Sequence, residues 1–124
     1  MAGLSDYLEP IVLDYVFNNT APAAVAAVWI QLHTADPTDV GTTAIATENT
    51  RKSCSFSAAT GGAITTDALL EWVSVAGTEQ YTFFSLWTLA TGGSCLWTGT
   101  VTANSVTAGD TFQIAAGDLD ITLD

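Results

Sequence analysis

At 124 residues the chain is long enough for one hydrophobic core and too short for two without staples. Thirteen carboxylates stand against two cations, Arg51 and Lys52, giving a net charge of −11. That balance excludes a phosphate-neutralising nucleic-acid surface and disfavours an anionic membrane. A hydrophobic content of 48% and a mean hydropathy of +0.35 exclude a disordered chain, although the charged share of 12% is about half that of an ordinary soluble domain.

Much of the polar surface falls to twenty threonines, β-branched residues suited to a half-exposed pleated sheet. Apolar stretches such as Ala21 to Ile30 are too short to span a bilayer. Asp6 and Glu9 interrupt the N-terminal region where an export leader would need an uninterrupted apolar run. The expectation is therefore a protein made and assembled in the cytoplasm. There the Asn18-Asn19-Thr20 sequon is incidental, and Cys54 and Cys95 are most simply reduced, small apolar residues.

Leu4, Tyr7, Leu8, Ile11, Val12, Tyr15 and Val16 recur at steps of three and four, which predicts an amphipathic helix over residues 4–18. Asp6 and Glu9 have the spacing of a capping-box variant, and Pro10 implies that the regular helix starts just before it or is kinked in its first turn. From residue 27 onward the period changes to two. Val28, Ile30 and Leu32 share one face of a strand, while Trp29, Gln31 and His33 share the other.

Residues 34–50 carry Pro37, Asp39, Gly41 and Asn49 with little periodicity and read as a long exposed loop or arm that can include a short strand, a common contact device. Strands are predicted over Lys52 to Ser57, Ala63 to Thr66 and Ala68 to Val75. Tyr81 to Leu89 and Ser94 to Val101 form a hairpin through Ala90-Thr91-Gly92-Gly93, a second copy of the turn Ala59-Thr60-Gly61-Gly62. A strand follows over Thr111 to Ala115. In the last segment Asp118, Asp120, Thr122 and Asp124 alternate with Leu119, Ile121 and Leu123, predicting an acidic outer face and an apolar inner one. One domain over 1–124 is expected: mainly β, a two-layer antiparallel β-sandwich of jelly-roll type over 27–124, with one N-terminal amphipathic helix.

Chemistry is sparse. His33 is the lone histidine, and although Asp36 and Asp39 follow it, no other member of a triad is recognisable from spacing. No nucleophile elbow, phosphate loop or dinucleotide fingerprint is present, so no enzyme is expected. Cys54, Cys95 and His33 lack the close Cys-x-x-Cys pair that anchors zinc. Asp36 with Asp39, or Asp118 with Asp120, offers the oxygen ligands that calcium takes, but solvated acidic surface accounts for the same residues; no cofactor is called for.

The aromatics say more. Trp29, Trp72, Trp87 and Trp97, with Phe56, Phe83, Phe84 and Phe112, supply a core, yet apolar side chains occur on both faces of several strands. Two sheets bury only their facing sides, so the outward set needs the helix, the long loop or another chain as cover. Trp29 and Trp87 are the interface candidates among the aromatics, joined by Tyr7, Leu8 and Ile11 on the helix and by Asp36 and Asp39 in the loop.

The opening Leu4-Ser5-Asp6-Tyr7-Leu8-Glu9, the run Leu32-His33-Thr34-Ala35-Asp36-Pro37-Thr38-Asp39, the strand Leu96-Trp97-Thr98-Gly99, and the close from Ala108-Gly109-Asp110-Thr111-Phe112 through Ala116-Gly117-Asp118-Leu119 resemble a family of small tailed-phage virion proteins. Its members are described both as capsid decoration or cement proteins and as tail-fibre proteins. The resemblance implies virion assembly and carries over no catalytic residue.

On that basis the expected function is a capsid decoration protein that forms a homo-oligomer, with a trimer favoured, and bridges subunits of the major capsid protein. The helix and the 34–50 loop would meet the partner, while the acidic last strand would face solvent. The alternative is a tail-fibre or tail-tip module that binds another tail protein or grips a host glycan through exposed tryptophans.

Overall fold

The period-two run from residue 27 onward forms a strand because its two faces find different cover, and the rest of the sheet is built outward from it. In the computed structural model, which describes residues 3–123, this strand pairs antiparallel with the first strand of the long hairpin. The elements in chain order are β1 (Gly3–Leu4), α1 (Leu8–Asn18), β2 (Val28–His33), β3 (Lys52–Cys54), β4 (Ala63–Thr65), β5 (Leu70–Trp72), β6 (Glu79–Trp87), β7 (Cys95–Val106), β8 (Phe112–Ile114) and β9 (Asp120–Thr122).

Five strands form the main sheet in the order β1-β7-β6-β2-β3, with every pairing antiparallel. Opposite it lie two two-stranded ladders, β4 with β9 and β5 with β8. The protein is thus mainly β and antiparallel, as its sequence predicts. One helix beside several antiparallel sheets is consistent with the expected β-sandwich, its strands divided five, two and two.

Register decides what each face of the main sheet holds. Ile30 opposite Leu86 and Leu32 opposite Phe84 point toward the ladders. There they meet Leu70, Trp72, Tyr81, Phe112, Ile114 and Leu119 in one buried cluster. Trp72 is held in it by a 2.8 Å hydrogen bond from Nε1 to the carbonyl of Thr50, and Tyr81 meets Phe112 edge-on at 4.9 Å between ring centroids. The other face carries Trp29 opposite Trp87, Gln31 opposite Ser85 and His33 opposite Phe83.

That second face is where the structure corrects the sequence reading. Residues 34–50 are not a free arm but fold back as a cover. Ala46 N–H donates to the carbonyl of Leu32 at 3.1 Å, and Thr34 N–H to that of Ala44 at 3.0 Å. The Glu79 carboxylate accepts the N–H groups of Thr47 and Glu48 at 2.9 and 3.0 Å. These bonds anchor the loop to the sheet through part of its backbone.

The helix also differs from expectation. It begins at Leu8, because Gly3–Leu4 is drawn into β1 beside β7. Buried Ser5 supplies the start instead of the anticipated Asp6–Glu9 pair: its Oγ accepts Leu8 N–H at 3.2 Å and its carbonyl accepts Leu8 and Glu9 N–H. Pro10 falls within the first turn, where its missing N–H leaves no intrahelical bond unmade. At the other end Asn19 takes a left-handed conformation (φ 53°), a conformation asparagine tolerates, and Thr20 N–H returns to the Asp14 carbonyl at 3.1 Å.

The last segment alternates as predicted between Leu119, which is buried, and exposed Asp118 and Asp120, but Leu123 is 55% exposed. Asp124 lies outside the described residues. Cys54 and Cys95 are both buried and unjoined.

Candidate partner-binding surface

The candidate residues fall into two groups. Tyr7, Leu8 and Ile11 line a cleft between α1 and the returning segment at Pro22, Ala23 and Val25, with Leu96 of β7 also in its wall. Trp29, Trp87, Asp36 and Asp39 belong to the covered face and its loop.

In the second group little is free. Trp87 is only 6% exposed, with the Arg51 guanidinium carbon 4.1 Å from the centroid of its ring. Arg51 is one of the chain's two cations, and its Nη1 also donates to the carbonyls of Leu89 and Gly92 at 2.8 and 2.7 Å, fastening the hairpin turn. Gly41 presses on the same spot, where a Cβ would come within 2.6 Å of Cys95 Sγ and 3.0 Å of Trp87 Cζ2. The outward tryptophan that the strand pattern offered to a partner is thus covered by its own chain. Trp29 is half-buried beside it. Asp36 Oδ1 closes a turn by accepting Thr38 N–H at 2.9 Å, and the Asp39 carbonyl accepts Asp6 N–H at 3.3 Å, tying the loop to the helix start.

Beneath the loop lies a pairing that sequence reasoning missed. His33 Nε2 is 2.7 Å from Ser85 Oγ, and Nδ1 is 3.0 Å from the Thr43 carbonyl. A carbonyl only accepts, so Nδ1 carries the proton and Nε2 accepts from the Ser85 hydroxyl. Trp87 Nε1 in turn donates to Ser85 Oγ at 2.7 Å. A serine beside a histidine is the kernel of nucleophilic catalysis, but both residues are 0% exposed and the side-chain polar atoms of His33, Ser85 and Trp87 are all engaged within the protein. Burial lowers the His33 pKa below its ordinary 6.5, keeping the ring neutral; the carbonyl contacts of Thr43 and Ala44 oppose this. Alternation alone places Gln31 and His33 on the face of Ser85 and Trp87 once β2 is paired with β6, and this signal was available in the sequence.

Among the described residues no three histidine, cysteine or acidic side chains stand close enough together to hold a metal ion. The tryptophans do not provide an open platform for sugar stacking either. Trp72 and Trp87 are 1% and 6% exposed, and Trp29 and Trp97 are half-buried.

The first group is different. Only Leu8, Ile11 and Val12 of α1 are half-buried; every residue from 13 to 26 is exposed. Tyr15 and Val16, which fit the predicted stripe, are 58% and 63% exposed, past the last half-buried residue of the helix at Val12. Leu13 and Phe17, an i,i+4 pair off that stripe, are 56% and 76% exposed. Below the helix is an open groove of about 410 Å³ walled by Leu4, Val28, Phe56, Ile64, Trp97 and Ile121 among others, with no charged residue in its lining.

Residues 3–122 match the family model described as podophage GP4 fiber I protein gp80. The chain belongs to that family. No curated protein matches it. Membership makes this a tailed-phage virion structural protein, and a fibre family accords with the geometry of an antiparallel β body with an apolar projection next to an apolar groove.

Proposed function

We propose that the protein is a non-enzymatic fibre subunit of a podophage particle, built to pack against copies of itself and to attach to another virion protein. One observation carries this reading: an exposed helix and return segment rich in Leu13, Tyr15, Val16, Phe17 and Val25, beside an apolar groove that opens on the main sheet. Surface of this kind marks protein contact sites. The fibre description of the family favours a place on the fibres over the capsid lattice.

Capsid decoration, the first expectation from sequence, has the same physical requirements and differs only in where the subunit sits. A sugar-gripping tip is the weaker alternative, since it relies on indole faces that are half-buried or buried here.

Immunogold labelling of intact particles separates these readings. Label on the fibres is the expected result. Label spread evenly over the head overturns the fibre assignment in favour of decoration.

A further inference from the structure

Two features of one chain complement each other. The first is the projecting arm, α1 with its return to residue 26. From Tyr15 to Ala35 the sequence contains no Asp, Glu, Lys or Arg, in a protein of net charge −11, and the arm's carboxylates are confined to Glu9 and Asp14 nearer its base. The second is the groove at the base of that arm, whose lining is apolar throughout. Two copies of so acidic a chain repel wherever carboxylates meet, and they can approach closely only through surfaces free of them. A partner of opposite charge would instead be expected to face Asp and Glu side chains.

The arm also exposes apolar residues on more than one side, since Leu13 and Phe17 lie opposite Leu8 and Tyr15 on the helix. Apolar surface on two sides of a helix favours a partner that encloses it, since a flat partner covers one side alone. A groove provides the enclosure. Resting on the self-association proposed above, we infer that the Leu13–Phe17 side of each arm seats in the apolar groove of the next copy, closing a ring in which every protomer gives one arm and receives another. The contact is heterologous, the type that generates cyclic oligomers when the rotation closes.

The area suffices. Phe17 and Tyr15 expose 76% and 58% of their surfaces, on the order of 250 Å² together given the size of aromatic side chains. Adding Leu13, Val16, Val25 and the apolar groove, a protomer that gives and receives hides on the order of 800 Å², the share of each partner in a standard stable interface.

The test is sedimentation of the intact chain and of two single variants. Phe17→Asp disables the arm and leaves the groove; Leu123→Asp charges the groove at an exposed position and leaves the arm, with Ala59→Glu as a second groove variant should the first misfold. Circular dichroism identifies the folded variants. The wild type is expected as a closed ring, a trimer by the sequence expectation, and each variant alone as a monomer. An equimolar mixture has one working arm and one working groove, and is expected to give a 1:1 dimer. A monomeric wild type, a variant that keeps the full ring, or a mixture that stays monomeric overturns the inference. A chain that labels the fibres yet fails these tests retains its virion role; one that passes them but is absent from fibres loses the fibre assignment and keeps the ring.

Discussion

His33 Nε2 accepts the Ser85 hydroxyl proton at 2.7 Å in a site that excludes solvent, while Nδ1 holds the Thr43 carbonyl of the covering loop. The pair therefore works as a clasp between β2, β6 and residues 34–50. Ser85→Ala removes the acceptor of Trp87 Nε1–H and the donor to His33 at once, leaving buried polar groups unsatisfied. The expected loss is about 1–3 kcal/mol in chemical denaturation, and a loss below the error of that measurement would show that the clasp is dispensable.

The same clasp sets a pH dependence. His33 is held neutral by burial, with its folded pKa below 6.5. As pH falls through 6.5 the unfolded chain binds this proton first, so stability falls until the folded His33 itself titrates. Thermal unfolding between about pH 7 and pH 5 should show a declining midpoint, with the histidine part of the slope absent in His33→Gln. An equal slope in that variant would assign the decline to carboxylates.

Gly99 is fixed by a neighbour, not by its backbone. A Cβ there would stand 2.6 Å from Cε1 of Phe84, whose ring lies across the glycine from the adjacent strand. Gly99→Ala is expected to cost about 1–3 kcal/mol through overpacking. Phe84→Leu, which removes the ring atoms Cε1 and Cζ that a Cβ at 99 would meet, should recover part of that cost in the double variant. Independent, additive losses would contradict the contact.

Both thiols are pushed up to about 11 by burial. At pH 8 the thiolate fraction is on the order of 10⁻³, so alkylation of the native chain should be far slower than in denaturant. Rapid native labelling of Cys54 or Cys95 would indicate that β3 or β7 opens readily.

Much of the architecture was legible because alternation is a strong signal. The two faces of Val28–His33, the hairpin across Gly92 and Gly93, and the inward Leu119 all follow from period two and turn chemistry. The fate of residues 34–50 was not legible, since that loop is held by backbone carbonyls, the Glu79 carboxylate and the Gly41 contact, none of which leaves a periodic trace. The covering of Trp87 went unseen for the same reason. The helix shows the opposite limit. Periodicity shows that Leu8, Ile11, Tyr15 and Val16 can share a face, but only the structure shows that burial along the helix stops at Val12 and leaves Tyr15 and Val16 exposed.

The central claim is that the arm is enclosed by another copy of this chain in the particle. The most direct measurement places a photocrosslinking side chain at position 17, irradiates assembled virions and maps the joined peptides. Crosslinks to this protein's own 59–64 or 121–123 segments are predicted. Crosslinks found solely to other virion proteins would contradict the account.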